Sequence, residues 1–195
     1  MVVKLSSIIC RCLINKRIIE NDDAELYTYG FFLLFSNLLF SVIIILFGLL
    51  FNCILEIIIF YILFRTIRVF AGGYHANSET RCEILTTTSF LLISYIISIS
   101  ENYVIETIVL GITVFAILAI ALFAPLDTPA KPLDIDEKKK YRKISFLILL
   151  IIVLIIIVSI IFKIKLLLIP CCLSLILESI LLVAGVIKGR LVNGN

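Results

Sequence analysis

Apolar residues fill long, almost uninterrupted stretches of this chain, and polar positions collect between the stretches instead of alternating within them. Between Gly30 and Phe64 the only charge is Glu56. One helix of that length would run roughly 50 Å at 1.5 Å per residue, well beyond a hydrocarbon core of about 30 Å, so the stretch predicts a hairpin of two spans. Its turn is expected between Gly48 and Cys53, where Gly48 and Asn52 are the residues least suited to a helix. Four more apolar runs follow, Ile84 to Ser100, Thr107 to Leu126, Ile144 to Phe162 and Leu166 to Ile187. The pattern therefore predicts six spans, near 30–50, 52–69, 83–100, 106–126, 144–162 and 166–187.

Positions 1–28 have a different texture. Leu5, Ile8, Ile9, Cys12 and Leu13 recur at helical spacing, with Lys4, Arg11, Lys16 and Arg17 supplying a basic side. This is the pattern of an amphipathic helix lying on an anionic leaflet. The acidic residues Glu20, Asp22, Asp23 and Glu25 close the segment. It has neither the continuous apolar core nor the small-residue cleavage pattern of a signal peptide, so it is expected to be retained.

Composition narrows the class further. Of 195 residues 62% are hydrophobic and only 16% charged, and the mean hydropathy is +1.22. Soluble domains are about half apolar and a quarter charged, so a soluble enzyme is excluded. With 8 Gly and 4 Pro, collagen-like and disordered chains are excluded too. The expected fold class is one all-α integral membrane domain, its spans preceded by the interfacial helix. The net charge of +3 comes from basic residues that flank apolar segments without forming a stripe with exposed aromatics, so nucleic acid is not an expected partner. Fifteen of the 17 Lys and Arg fall on the side shared by the N-terminus, the second and fourth loops and the C-terminus; only Lys163 and Lys165 fall on the other. Short basic loops are retained in the cytoplasm, which predicts a multi-pass protein of the cell membrane with both termini cytoplasmic. The six cysteines are scattered, with Cys53, Cys171 and Cys172 in apolar runs, which is no disulfide framework.

Reactive side chains concentrate in the connector 70–82 between the second and third spans, which holds the chain's one histidine, His75. A nucleophilic thiolate needs a base, and imidazole suits neutral pH, so His75 and Cys82 form a candidate pair. On one straight helix they would stand about 10 Å apart, too far for a hydrogen bond, so the backbone must bend between them. Gly72 and Gly73 provide the bend by adopting positive φ, and Asn77 or Ser78 is suited to N-cap a new helix. Cys82 would then lie in or just after a first turn, where free N–H groups and Arg81 favour a thiolate. From the residues alone the pair is a weak signal, and the plainer reading makes His75 an interfacial turn residue and Cys82 a small packed side chain. One His and distant cysteines such as Cys10 and Cys12 do not make a zinc site, so neither metal nor cofactor is expected. Glu56 and Glu178 lie in apolar spans, where a charge must be protonated, paired or turned to a polar cavity; interhelical hydrogen bonding is the expectation for both. Arg65 is expected to snorkel, and Arg68 either snorkels or lines the site.

The stretch Arg68-Val-Phe-Ala-Gly-Gly-Tyr-His-Ala-Asn-Ser-Glu-Thr-Arg-Cys82 resembles the signature of the accessory gene regulator B (AgrB) family, bacterial membrane cysteine endopeptidases that process the quorum-sensing propeptide AgrD. The likeness extends to chain size, the multiple spans and the loop from Ala124-Pro125 to Lys131-Pro132. It implies that Cys82 attacks a peptide carbonyl of an AgrD-like propeptide, that His75 acts as base and then acid, and that the thioester is captured to give a cyclic thiolactone or lactone. It also implies a substrate-binding role for Lys131, in the loop 127–143, with Arg68 as a second candidate. Lys138 to Lys143 in that loop read as an anchor on anionic membrane lipid. Partners are thus the propeptide and anionic lipid, and a homodimer is admitted. The competing assignment is a non-enzymatic small permease or peptide-export subunit, in which His75 and Cys82 only pack.

Overall fold

The computed structural model describes residues 2–16, 18–74, 79–126 and 134–193, with backbone alone at 2, 21, 79–83 and 190–193. Among them the chain is all-helical. The elements are α1 (Val2–Asn15), a short 3-10 turn (Asn21–Asp23), α2 (Ala24–Leu50), α3 (Ile54–Ala71), α4 (Glu79–Ile99), α5 (Tyr103–Phe123), α6 (Ile135–Phe162) and α7 (Lys165–Asn193). Helices α2, α5, α6 and α7 are long and apolar enough to cross a membrane, and α4 contributes a shorter apolar stretch, Ile84–Ile99. Helix α3 spans 18 residues but carries Glu56, Arg65 and Arg68. The protein is an all-α membrane chain, and each of α2 to α7 overlaps one of the six expected segments.

Contacts divide the chain into two compact units, Met1–Leu46 and Phe47–Asn195. In the first, the Cys10 thiol of α1 donates to the Ala24 carbonyl at 3.3 Å. The apolar side chains Leu5 and Ile8 stay exposed on α1 together with Lys4 and Arg11, as suits a helix whose apolar surface meets lipid.

The second unit is organised around α7, which packs against α5, α3 and α6. In its most apolar stretch 61% of the residues are buried, against 22% for α5 and 28% for α6. Helix α6 buries Ser145, Leu149, Ile152, Ile156 and Ser159 along one stripe of helical period. Its other face exposes Leu147, Leu150, Leu154, Ile157 and Ile161, which only a hydrocarbon solvent accommodates. At one end of the unit Lys165, the first residue of α7, pairs with Glu106 in the first turn of α5 at 3.2 Å. At the other end the C-terminal parts of α3 and α7 meet the residues just past α5, so these three helices run parallel. Helix α6 starts at that same end, where Tyr141 meets Phe70 edge-on at 5.7 Å.

The α2–α3 turn falls where it was expected. Asn52 takes φ 53° and Cys53 caps α3. Gly48 lets the end of α2 lie against Ile54 and Ile57, since a Cβ there would come within 2.9 Å of the Ile54 backbone. Several boundaries differ from expectation: α4 begins at Glu79, four residues before the predicted span, and α7 runs to Asn193, six beyond it. Helix α2 begins at Ala24, six residues before the predicted span, and α6 begins at Ile135, taking in residues expected as loop. The cause in α6 is a capping box: Asp134 accepts from the Ile135 N–H at 2.8 Å and Glu137 reaches back to the Asp134 N–H at 3.4 Å. The charged Lys138 to Lys143 run is thereby helical, continuous with the apolar span that follows.

Burial on α7 predicts unequal costs for the same truncation. Leu175→Ala or Leu182→Ala, at fully buried positions, should each destabilise the purified protein by about 2–5 kcal/mol. Leu154→Ala, at a 61% exposed position, should change stability by less than about 0.5 kcal/mol. Unfolding followed in detergent or bicelles compares the three.

Candidate functional site

Helix α3 stops because two glycines with positive φ follow it, Gly72 at 76° and Gly73 at 130°. The break leaves backbone groups that the helix no longer pairs, and several of them find protein partners. The Gly72 N–H donates back to the Arg68 carbonyl at 3.1 Å. The Arg68 guanidinium then folds over the end of its own helix: Nη1 donates to the Gly72 carbonyl at 2.7 Å and Nη2 to the Tyr74 carbonyl at 2.6 Å. The Tyr74 N–H donates to the Leu181 carbonyl of α7 at 2.8 Å, and the Leu126 N–H, just past α5, donates to the Ala71 carbonyl at 2.9 Å. Gly72 and Leu126 pair as a parallel bridge.

Three elements therefore meet backbone to backbone, and two glycines make room for it. A Cβ on Gly72 would meet the Leu126 carbonyl oxygen at 2.5 Å. A Cβ on Gly185 of α7 would meet the Leu126 side chain, the Tyr74 nitrogen at 3.0 Å and the Gly73 carbonyl carbon at 3.2 Å. Around this junction stand several cations. Lys188 lies over the Tyr74 ring at 5.0 Å from its centroid. Arg142 lines a cleft of about 170 Å³ between α5 and α6, together with Ala124, Ser145 and Phe146. Glu178 of α7 is fully buried, with Oε1 3.7 Å from Arg68 Nη1.

Helix α4 resumes at Glu79, which makes Cys82 the fourth residue of its first turn. Further along, α4 is fastened to α3 by Phe90, which meets Phe60 at 5.1 Å and Phe64 at 6.1 Å, both edge-on, and by the Cys53 thiol donating to the Ser94 carbonyl at 3.7 Å. His75, Lys131, Asn77 and Ser78 lie outside the described residues. Gly72, Gly73 and Arg68 are brought together at the junction, one residue short of His75. Arg65 is exposed, and its Nη1 donates to the Tyr61 hydroxyl at 3.0 Å. Glu56 sits half-buried in the first turn of α3. Cys53, Cys171 and Cys172 are buried, and Cys10 is too. Among the described residues no group of three or more His, Cys, Asp or Glu is gathered to hold a metal.

The family model for accessory gene regulator B matches residues 6–182, which includes every element of the junction up to Leu181 and the whole connector. This chain belongs to the accessory gene regulator B family. Among curated proteins it is similar to an AgrB-like protein of Clostridium perfringens (strain SM101 / Type A), 32% identical over 148 residues that cover 73% of this chain and 69% of the relative. It is likewise similar to AgrB-like protein 2 of Clostridium perfringens (strain 13 / Type A), at 30% identity over the same shares. An AgrB-like protein of Listeria innocua is 30% identical over 131 residues, 65% of this chain and 63% of the relative. No solved structure matches the chain. Membership in AgrB places the protein in the agr quorum-sensing system, with an AgrD-related partner.

Sequence patterning had Gly72, Gly73 and Arg68 but not their counterparts Tyr74, Leu126, Leu181 and Gly185. Gly185 carried a usable signal, as a glycine inside an apolar span at which another backbone approaches. Gly185→Val should push Tyr74 and Gly73 off α7 and destabilise the purified protein by about 1–3 kcal/mol, the cost of overpacking a close approach. Gly189→Val, on the same helix with nothing within 4 Å of its Cβ position, should change stability by less than about 0.5 kcal/mol. Unfolding followed in detergent or bicelles separates the two.

Proposed function

We propose that the chain is a membrane cysteine endopeptidase that removes the C-terminal tail of an AgrD-like propeptide. The observation that carries this reading is the broken connector: it is clamped at Gly72 and Tyr74 immediately before His75, and a new helix starts at Glu79 with Cys82 in its first turn. A bend between the two side chains is what a hydrogen-bonded pair at this spacing needs. The first turn of a helix presents free N–H groups that stabilise negative charge on sulfur.

In this mechanism Cys82 Sγ attacks a peptide carbonyl while His75 takes the thiol proton. The tetrahedral intermediate collapses, the C–N bond breaks, and His75 returns the proton to the leaving amine. The tail departs, leaving the peptide as a thioester on Cys82. An internal Cys or Ser of the peptide then attacks the thioester, releases Cys82 as thiol and closes a thiolactone or lactone. A thioester keeps enough acyl-transfer potential for ring closure, provided water is kept out.

In this reading the chain crosses the membrane six times, with the connector, the start of α6 and the end of α7 on the cytoplasmic side together with both termini. Support comes from the partition of charge in the second unit, with Arg68, Arg142 and Lys188 at the junction end and Lys163 and Lys165 at the other. Lys131 pairs with the acidic tail of the propeptide. Arg68 offers the substrate only the N–H groups beyond those given to Gly72 and Tyr74. The Lys138 to Lys143 turns of α6 rest on anionic lipid.

Co-expression with the propeptide tests the assignment. Cys82→Ser and His75→Ala should each abolish cleavage. Cys10→Ser, Cys12→Ser, Cys53→Ser, Cys171→Ser and Cys172→Ser should retain it. Tail release by the Cys82→Ser protein would sink the mechanism.

A further inference from the structure

Helix α7 presents Glu178, Leu181 and Gly185 at intervals of three and four residues, hence on one face. Two of the three grip the connector directly: Leu181 through its carbonyl and Gly185 by allowing the close approach of Tyr74 and Gly73. Glu178 is the third, and its chemistry is out of place for packing. Its side chain is 0% exposed, and neither carboxylate oxygen has a hydrogen-bond partner among the described residues. Nearby positions of the same helix that only fill space, Leu175 and Leu182, are leucines. A buried carboxylate so sparsely held is costly unless a cation compensates it.

The cation is Arg68, 3.7 Å away and itself only 19% exposed. Its guanidinium is planar, and it already spends one nitrogen on the Gly72 carbonyl and another on the Tyr74 carbonyl. Those two bonds stay within one short stretch of chain. They tie the connector to α3, while a single backbone bond, from the Tyr74 N–H to the Leu181 carbonyl, ties it to α7. Glu178 adds a second tie across the helix interface, through the guanidinium.

We propose that Glu178 is a positioning residue: its carboxylate anchors Arg68 to α7, and Arg68 in turn fixes the connector that delivers His75 to Cys82. This rests on the peptidase reading above. It accounts for an acid in the middle of an apolar helix by a task done elsewhere, on atoms Glu178 does not touch.

The test uses the full chain reconstituted in nanodiscs with a synthetic propeptide. Glu178→Gln keeps the shape and removes the anchoring charge. It should lower kcat by about ten- to a hundredfold, the range expected for a displacement of reacting groups by about 1 Å, with KM within about twofold of the parent. Glu178→Asp retains the charge and should recover part of the lost kcat. Arg68→Met should lower thermal stability by leaving Glu178 uncompensated; adding Glu178→Leu should restore the stability, because a buried pair is replaceable by apolar residues, yet turnover should stay low. Wild-type kcat and KM in Glu178→Gln overturn the proposal. So does recovery of turnover together with stability in the Arg68→Met, Glu178→Leu protein, and this comparison decides alone where Glu178→Gln does not fold. Cleavage by Cys82→Ser or His75→Ala in the same assay would instead bring down the peptidase reading, whatever Glu178 does.

Discussion

A helix that ends against packed protein must hand its unpaired backbone groups to other protein atoms wherever water is excluded. The rest of the second unit is arranged around that requirement at Gly72. The Arg68 side chain meets two of the groups left by the break, and the Leu181 carbonyl of α7 and the Leu126 N–H meet one each. Meeting them demands that α3, α5 and α7 bring their C-terminal parts to one place. The Lys165–Glu106 pair holds α5 to α7 at the opposite end. The two ends together fix the parallel course of those helices and leave α6 to run the other way. The stretch Gly72 to Tyr74 is thereby pinned at both ends, and the next residue in the sequence is His75.

Much of this was legible in the order of residues, because the strongest signals in a membrane chain are local. A 35-residue apolar stretch too long for one span forced a turn, and Gly48 and Asn52 marked it. Gly72-Gly73 marked the end of α3. Helix α6 starts earlier than its hydropathy implies, because Asp134 and Glu137 stand at capping-box spacing and the lysines after them continue the helix. The buried faces were not legible at all. In α6 both faces are apolar, so periodicity cannot separate Leu149, which is buried, from Leu150, which meets lipid. Long-range pairing was equally hidden. Glu178 was recognisable as an acid needing a partner, but its partner lies in another helix far along the chain, and only packing chooses Arg68 over the other basic residues.

Arg68 also shows why a charge and its effect need to be considered separately. With a carboxylate oxygen 3.7 Å from Nη1, the pair acts on its surroundings mainly as a dipole, whose field fades faster with distance than that of a lone cation. An isolated guanidinium at the connector would attract anions generally, the acidic tail of a propeptide among them. Paired with Glu178 it does so weakly, and what it retains is direction: two short, charge-assisted hydrogen bonds aimed at two carbonyls. Long-range attraction at this end falls to the other cations, Arg142 beside the α5–α6 cleft and Lys188 over Tyr74. Geometry and attraction are thus carried by different residues. In the proposed reaction that division matters, since the same cation could not both release a departing acidic tail and keep hold of the turn on which the attacking pair depends.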